Sequence, residues 1–141
     1  MKYRQQFFSS ADPQELPELR RRVQQELQQR GESELAVERA GLLVSELSHN
    51  AVEAAQQSDP GQVEVVVARD AEGLQLEVEC DANQDLEQLQ LAIDASGVLP
   101  SPDSDRGRGL WLVLQFSKNL QVQRMPNGNV RVRLQIQTQE G

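Results

Sequence analysis

The sequence lacks the residues that build cross-links and metal clusters: its 141 residues contain one cysteine, Cys80, and one histidine, His49. A lone cysteine forms no internal disulfide, and one of each leaves no zinc site of the usual Cys and His spacing. Long apolar runs are also missing. None approaches the roughly 20 residues that a bilayer span requires, and the polar start Met1-Lys2-Tyr3-Arg4-Gln5-Gln6 lacks a signal-peptide core. The expectation is a soluble, cytoplasmic protein with no membrane partner. Positive charge is scarce too, with 14 Lys and Arg against 22 Asp and Glu, a formal charge of −8. Direct nucleic-acid binding is therefore not expected, because counter-ion release needs a basic face. No solenoid-type repeat and no Pro/Gly/Ser linker divides the chain, so residues 1–141 read as one domain.

Hydrophobic residues make up 38% of the chain and recur with clear periods, as a folded domain requires. Glutamine is frequent but spread through these periodic segments, where it serves as an uncharged surface residue and not as a low-complexity tract. Tyr3 to Ser9 suits a short edge strand. Asp12-Pro13 or Leu16-Pro17 then opens a helix, in which Leu16, Leu19, Val23 and Leu27 share a face and which Gly31 ends. A loose capping signal at Ser33 precedes the longest element, a helix from about Glu32 to Gln57. Its apolar stripe is Ala36, Ala40, Leu43, Leu47, Ala51 and Ala54, and Asp59-Pro60-Gly61 stops it.

The period then changes to two. Val63, Val65 and Val67, a turn at Asp70-Ala71-Glu72-Gly73, and Leu74, Leu76, Val78 and Cys80 describe an antiparallel hairpin with one buried face. A weaker helical stretch at Leu86, Leu89, Ala92 and Ile93 leads into a long loop from Ser96 to Gly107. A helix is expected from about Gly109 to Asn119, with Trp111 in the core, and then a second hairpin that turns at Asn127-Gly128. The sum is an α/β two-layer sandwich, with helices on one face of a mixed, largely antiparallel sheet of four to five strands.

Three stretches carry candidate chemistry. In Leu43 to Ala55, Glu46 and Asn50 stand one turn apart on the long helix, where a carboxylate and an amide oxygen can hold magnesium and orient a hydroxyl or water. An ordinary exposed Glu and Asn pair has the same spacing. In Asp105-Arg106-Gly107-Arg108-Gly109-Leu110, a glycine-rich turn runs into a helix, as suits a phosphate at a helix N-terminus with Arg106 or Arg108 neutralising it. A flexible hinge before a core helix reads the same way. Asp81, closing a strand, can accept from an exocyclic amine such as that of adenine, or simply belong to a turn.

The order of these stretches resembles the GHKL superfamily of ATP-binding domains. The run Val44-Ser45-Glu46-Leu47-Ser48-His49-Asn50-Ala51-Val52-Glu53-Ala54 looks most like the stand-alone anti-sigma-factor serine kinases, and the resemblance spans about Tyr3 to Gln137. It implies Glu46 as catalytic base, Asn50 as magnesium ligand and Asp81 as the adenine-reading aspartate. Gly107-Arg108-Gly109-Leu110 becomes the phosphate-side motif, and residues of about 94–106 a lid. It further implies ATP and magnesium as cofactors, a sigma factor or its antagonist as protein partner, transfer of phosphate to a serine, and a homodimer through the N-terminal strand and first helix. One motif departs from the family. Where the family reads Asp-x-Gly-x-Gly, this chain reads Asp81-Ala82-Asn83-Gln84-Asp85, placing side chains, one of them anionic, where glycines let the backbone approach the base. Two functions stay open: a protein serine/threonine kinase, or a non-catalytic protein-binding module of the same fold. The remaining residues read plainly: His49 as a helix-surface histidine, Cys80 as a small buried hydrophobe, and Arg20-Arg21-Arg22 as a solvated helix face or a contact for an acidic partner.

Overall fold

A computed structural model describes residues 2–10, 12–55, 61–80 and 112–138, with the backbone alone for residues 50–55. Its elements are β1 (Tyr3–Ser10), α1 (Leu16–Gln29), α2 (Glu34–Ala55), β2 (Gln62–Asp70), β3 (Gly73–Cys80), β4 (Ser117–Arg124) and β5 (Val130–Ile136). Leu112 to Gln115 form a short helical turn ahead of β4.

Helix α1 begins where Pro17 occupies its first turn, a position whose N–H needs no partner. Leu16, Leu19, Val23 and Leu27 are buried, as their spacing implies. The helix closes in a Schellman arrangement: Gly31 takes a left-handed φ of 84°, its N–H donates to the Gln28 carbonyl (3.1 Å), and the Glu32 N–H donates to the Leu27 carbonyl (3.0 Å). Two residues later the Ser33 hydroxyl accepts from the Ala36 N–H at 3.1 Å and starts α2. Ala36, Val37, Ala40, Leu43, Val44 and Leu47 form the buried face of that helix.

The five strands pair antiparallel throughout, in the order β1-β2-β3-β5-β4. One rung runs across the whole sheet: Phe7 beside Val65, Val65 beside Val78, Val78 beside Val132, and Val132 beside Val122. Because side chains alternate faces, this apolar rung and its neighbours two residues away bury the face that α1 and α2 cover. The opposite face carries polar ladders, with Arg131 paired to Glu79 at 2.9 Å and Arg133 to Glu77 at 3.5 Å.

A half-buried polar cluster ties β1 to both layers. Tyr3 donates its hydroxyl to Glu32 (2.7 Å), and Arg69 of β2 forks onto the same carboxylate. The Arg69 hydrogen bond holds the Glu32 carboxyl below its ordinary range, and the Tyr3 donor helps against the opposing effect of burial. Burial, followed by the Glu32 hydrogen bond, pushes the Tyr3 phenol upward. Arg30 stacks over the Tyr3 ring, 4.8 Å from its centroid.

The hairpin between β2 and β3 turns where expected: Asp70 Oδ1 accepts from the N–H groups of Glu72 (2.8 Å) and Gly73 (3.1 Å). The second hairpin closes with the Met125 N–H on the Asn129 carbonyl (2.7 Å). One expectation is corrected. The helix expected to reach Asn119 ends by Gln115, and Ser117 to Asn119 already belong to β4. The Phe116 N–H still bonds the Leu112 carbonyl, and the Ser117 hydroxyl takes the Val113 carbonyl at 2.5 Å and caps the turn. Pairing with β5 then takes over, with Asn119 in a left-handed conformation (φ 55°) inside an irregularity of the β4–β5 register. The helical stretch expected at 86–93, the lid of about 94–106 and Trp111 lie outside the described residues.

Candidate functional site

The apolar stripe of α2 faces the sheet, so Ser45, Glu46 and His49 stand on the rest of the helix surface. There the N-terminal half of α1 lies against them. The two helices approach closely because Gly41 has no side chain: a Cβ there would sit 2.2 Å from Gln24 Nε2 and 2.9 Å from Arg20 Nε. Through this gap Gln24 donates to the Val37 carbonyl (3.2 Å) and Arg20 Nη1 to the Ser45 hydroxyl (3.1 Å).

Beside the Arg20–Ser45 bond lies a groove of about 310 Å³. Pro13, Leu16, Pro17 and Arg20 line its α1 side, and Ser45, Glu46 and His49 its α2 side. Glu46 is half-buried and makes no hydrogen bond or ion pair among the described residues. Arg20, also half-buried, spends one N–H on Ser45 and meets no carboxylate among them. The groove therefore presents an acceptor and a donor of opposite charge, unpaired with each other, beside an apolar wall. A cavity of similar volume near the β2–β3 turn, bordered by Lys2, Asp70, Lys118 and Gln135, holds none of the candidate site residues.

The expected site residues divide accordingly. Glu46 lies in the groove. Asn50 follows one helical turn later in α2, with its side chain outside the described residues. Asp81 comes directly after Cys80, the last residue of β3, and is likewise outside them, as are Gly107, Arg108, Gly109 and Leu110. His49 is exposed, and Cys80 is buried with its sulfur 3.9 Å from the Val130 carbonyl. The Arg20-Arg21-Arg22 run is not a uniform solvated face. Arg21 forks onto Glu18, Arg22 Nη2 bonds the Phe8 carbonyl of β1 (2.9 Å), and Arg20 turns into the groove. The sequence offers the run as a whole, as a solvated face or a contact for an acidic partner, and does not separate out Arg20. Its partner is 25 positions away and its path depends on Gly41, so no local spacing marks it.

Glu46 can take a proton from a hydroxyl delivered to the groove, and Arg20 can hold an anion beside it. The Ser48 hydroxyl, 1% exposed and without a hydrogen-bond partner among the described residues, lies two positions from Glu46 on the same helix.

Comparison with known proteins gives the chain its relatives. The sequence signature of the family described as histidine kinase-like ATPase domain matches residues 9–136. No curated protein matches the chain in sequence. Among solved structures, a chain of the SiaB–SiaC complex from Pseudomonas aeruginosa superposes with a TM-score of 0.66 and 16% identity, covering 92% of this chain and 87% of that one. At that identity the likeness is one of fold. No helix among the described residues is long and apolar enough to cross a membrane.

Proposed function

Because the chain belongs to the histidine kinase-like ATPase family, we propose that it is a regulatory kinase-like protein that binds MgATP and acts on a protein partner through the groove at Glu46. The observation that carries this reading is the Glu46 carboxylate: half-buried, without a partner among the described residues, and open to a surface groove.

The donor set fits a cation that arrives with a nucleotide. No three His, Cys, Asp or Glu side chains converge among the described residues, whereas Asn50 follows Glu46 by one turn of α2, and magnesium commonly takes few protein ligands beside phosphate oxygens. When bound, MgATP supplies the phosphoryl group and the charge that neutralises it. Glu46 accepts the proton of the incoming serine or threonine hydroxyl, and the helix holds Asn50 at a fixed offset from that base. On the family resemblance, Gly107, Arg108, Gly109 and Leu110 would hold the phosphates and Asp81 would read the base. A sigma factor or its antagonist is the partner that the family resemblance favours, either sequestered or phosphorylated.

A second reading rests on Ala82-Asn83-Gln84-Asp85, where the two family glycines are replaced. On that reading the chain keeps the fold as a protein-binding module without nucleotide. A thermal melt with and without millimolar MgATP, run beside Asn50→Ala, separates the two. Ligand at about 100 times its Kd adds about 2.7 kcal/mol of stability. A shift of several degrees that the variant loses supports the kinase reading. No shift in the parent protein selects the module.

A further inference from the structure

We infer that β1 is a sheet edge held shut against strand addition by a second copy of this chain, and that Arg22 is the latch, reaching from α1 to take the Phe8 carbonyl that an added strand needs.

The composition of β1 calls for such a latch. Gln5-Gln6-Phe7-Phe8-Ser9-Ser10 is a run of six residues with no charge, no proline and no glycine. Short uncharged segments of this kind add readily to copies of themselves in extended form when an edge exposes them. The run makes up most of β1, and among the described residues no strand lies on the outer side of β1. Phe8 is also the one large hydrophobic side chain exposed among them.

The register fixes which backbone groups an added strand would meet. A two-residue loop, Ala71-Glu72, joins β2 to β3, and the pair that closes it, Asp70 and Gly73, turns its backbone groups toward each other. Even-numbered residues of β2 therefore face β3, and odd-numbered ones face β1. Arg69, Val67, Val65 and Val63 lie opposite Tyr3, Gln5, Phe7 and Ser9. Those four residues of β1 bond to β2, which leaves the N–H and carbonyl groups of Arg4, Gln6, Phe8 and Ser10 on the open edge.

Three of the four carbonyls on that edge are occupied. Arg22 Nη2 donates to the Phe8 carbonyl at 2.9 Å, the Ser9 hydroxyl to that of Ser10 at 3.0 Å, and Gln5 Nε2 to that of Gln6 at a long 3.4 Å. The Arg22 bond is the charge-assisted one of the three, and the one that comes from another element. Arg22 Nε is shut off from solvent with no partner among the described residues, so this side chain is packed down and does not swing free in water. The edge thus keeps its N–H donors and loses its acceptors. A second copy offering its own β1 finds half of the ladder missing, whereas strand addition draws its affinity from both halves.

The experiment follows self-association of the full chain by sedimentation velocity over a concentration series. The parent chain is compared with Arg22→Ala, Gln6→Pro and the double variant, each first shown by thermal melt to fold. Proline at position 6 removes an edge N–H and no bond to β2, so it blocks addition while sparing the β1–β2 pairing. Arg22→Ala is expected to associate at least about tenfold more tightly than the parent, the size of one or two recovered hydrogen bonds. Adding Gln6→Pro returns it to the parent's behaviour, and Gln6→Pro alone changes nothing. Three results overturn the assignment: Arg22→Ala associating no more tightly than the parent, its association surviving Gln6→Pro, or the parent itself associating in a way that Gln6→Pro abolishes. Amide hydrogen exchange of the parent tests the same edge without any substitution. The amides of Gln5 and Phe7 are expected to be protected and those of Gln6 and Phe8 to exchange fast at every protein concentration; protection of Gln6 and Phe8 that grows with concentration shows an open edge and overturns the assignment equally.

Discussion

Arg20 of α1 and Ser45 of α2 are joined by a 3.1 Å hydrogen bond that crosses the helix pair beside Gly41. The bond has two effects. It keeps α1 close to the turn of α2 that carries Glu46, and it fixes the guanidinium at the edge of the groove.

Gly41→Ala tests that arrangement. The new methyl collides with Gln24 and Arg20, both flexible at their ends, and displaces the bonds to Val37 and Ser45, which contribute about 0.5–1.5 kcal/mol each. Replacing a mid-helix glycine returns about 1 kcal/mol. The expected change in urea denaturation is therefore a net loss of about 0–2 kcal/mol. A loss of several kcal/mol would show that the two side chains have nowhere to go.

Glu32→Gln removes the charge and one of the two acceptor oxygens that Tyr3 and Arg69 use. With the Glu32 side chain only 9% exposed, the cost is about 1–3 kcal/mol near neutral pH. The pH dependence has a definite sign. A folded carboxyl held below its ordinary value of 4.5 contributes fully above that value and loses the contribution as pH falls through the lower, folded-state value. The difference in stability between parent and variant should therefore shrink below about pH 4.5, as read by denaturation midpoints from pH 7 to pH 3.

Leu76 lies on β3, between Val67 and Leu134, and is fully buried. Leu76→Ala is expected to cost about 2–5 kcal/mol, a transfer loss plus the cavity left behind. Phe8 is the contrasting case: it is 52% exposed, and Phe8→Ala should change stability by no more than about 0.5 kcal/mol. Equal effects in guanidinium denaturation would place the sheet's buried face wrongly.

Asn119 holds its φ of 55° within the β4–β5 irregularity and donates to Gln135 at 3.4 Å. Asn119→Gly should be near neutral, because glycine adopts this conformation freely. Asn119→Val should cost about 1–2 kcal/mol, since a β-branched residue strains there. The two melting temperatures, compared side by side, report the backbone conformation directly.

The elements that the sequence displays most clearly are those with a repeated period. Leu16, Leu19, Val23 and Leu27 announced α1, and alternation from Val63 to Cys80 announced β2 and β3, because burial on one face leaves a pattern in the order of residues itself. Signals of turns were equally local, as at Gly31 and at Asp70 to Gly73. The end of the short helix before β4 was not legible. Ser117 to Asn119 continue a helical pattern acceptably, and only pairing with β5 draws them into the sheet.

For the site, the sequence by itself determined that Glu46 and Asn50 ride one turn apart on a long helix, since 3.6 residues per turn settles such offsets without any partner. Only the tertiary structure decided that Arg20 joins Glu46 in one groove and that Arg21 and Arg22 do not. Three adjacent cations look alike in sequence. Their fates diverge because successive residues of a helix point about 100° apart. Glu18 one turn back takes Arg21, the β1 carbonyl of Phe8 takes Arg22, and the space left by Gly41 admits Arg20.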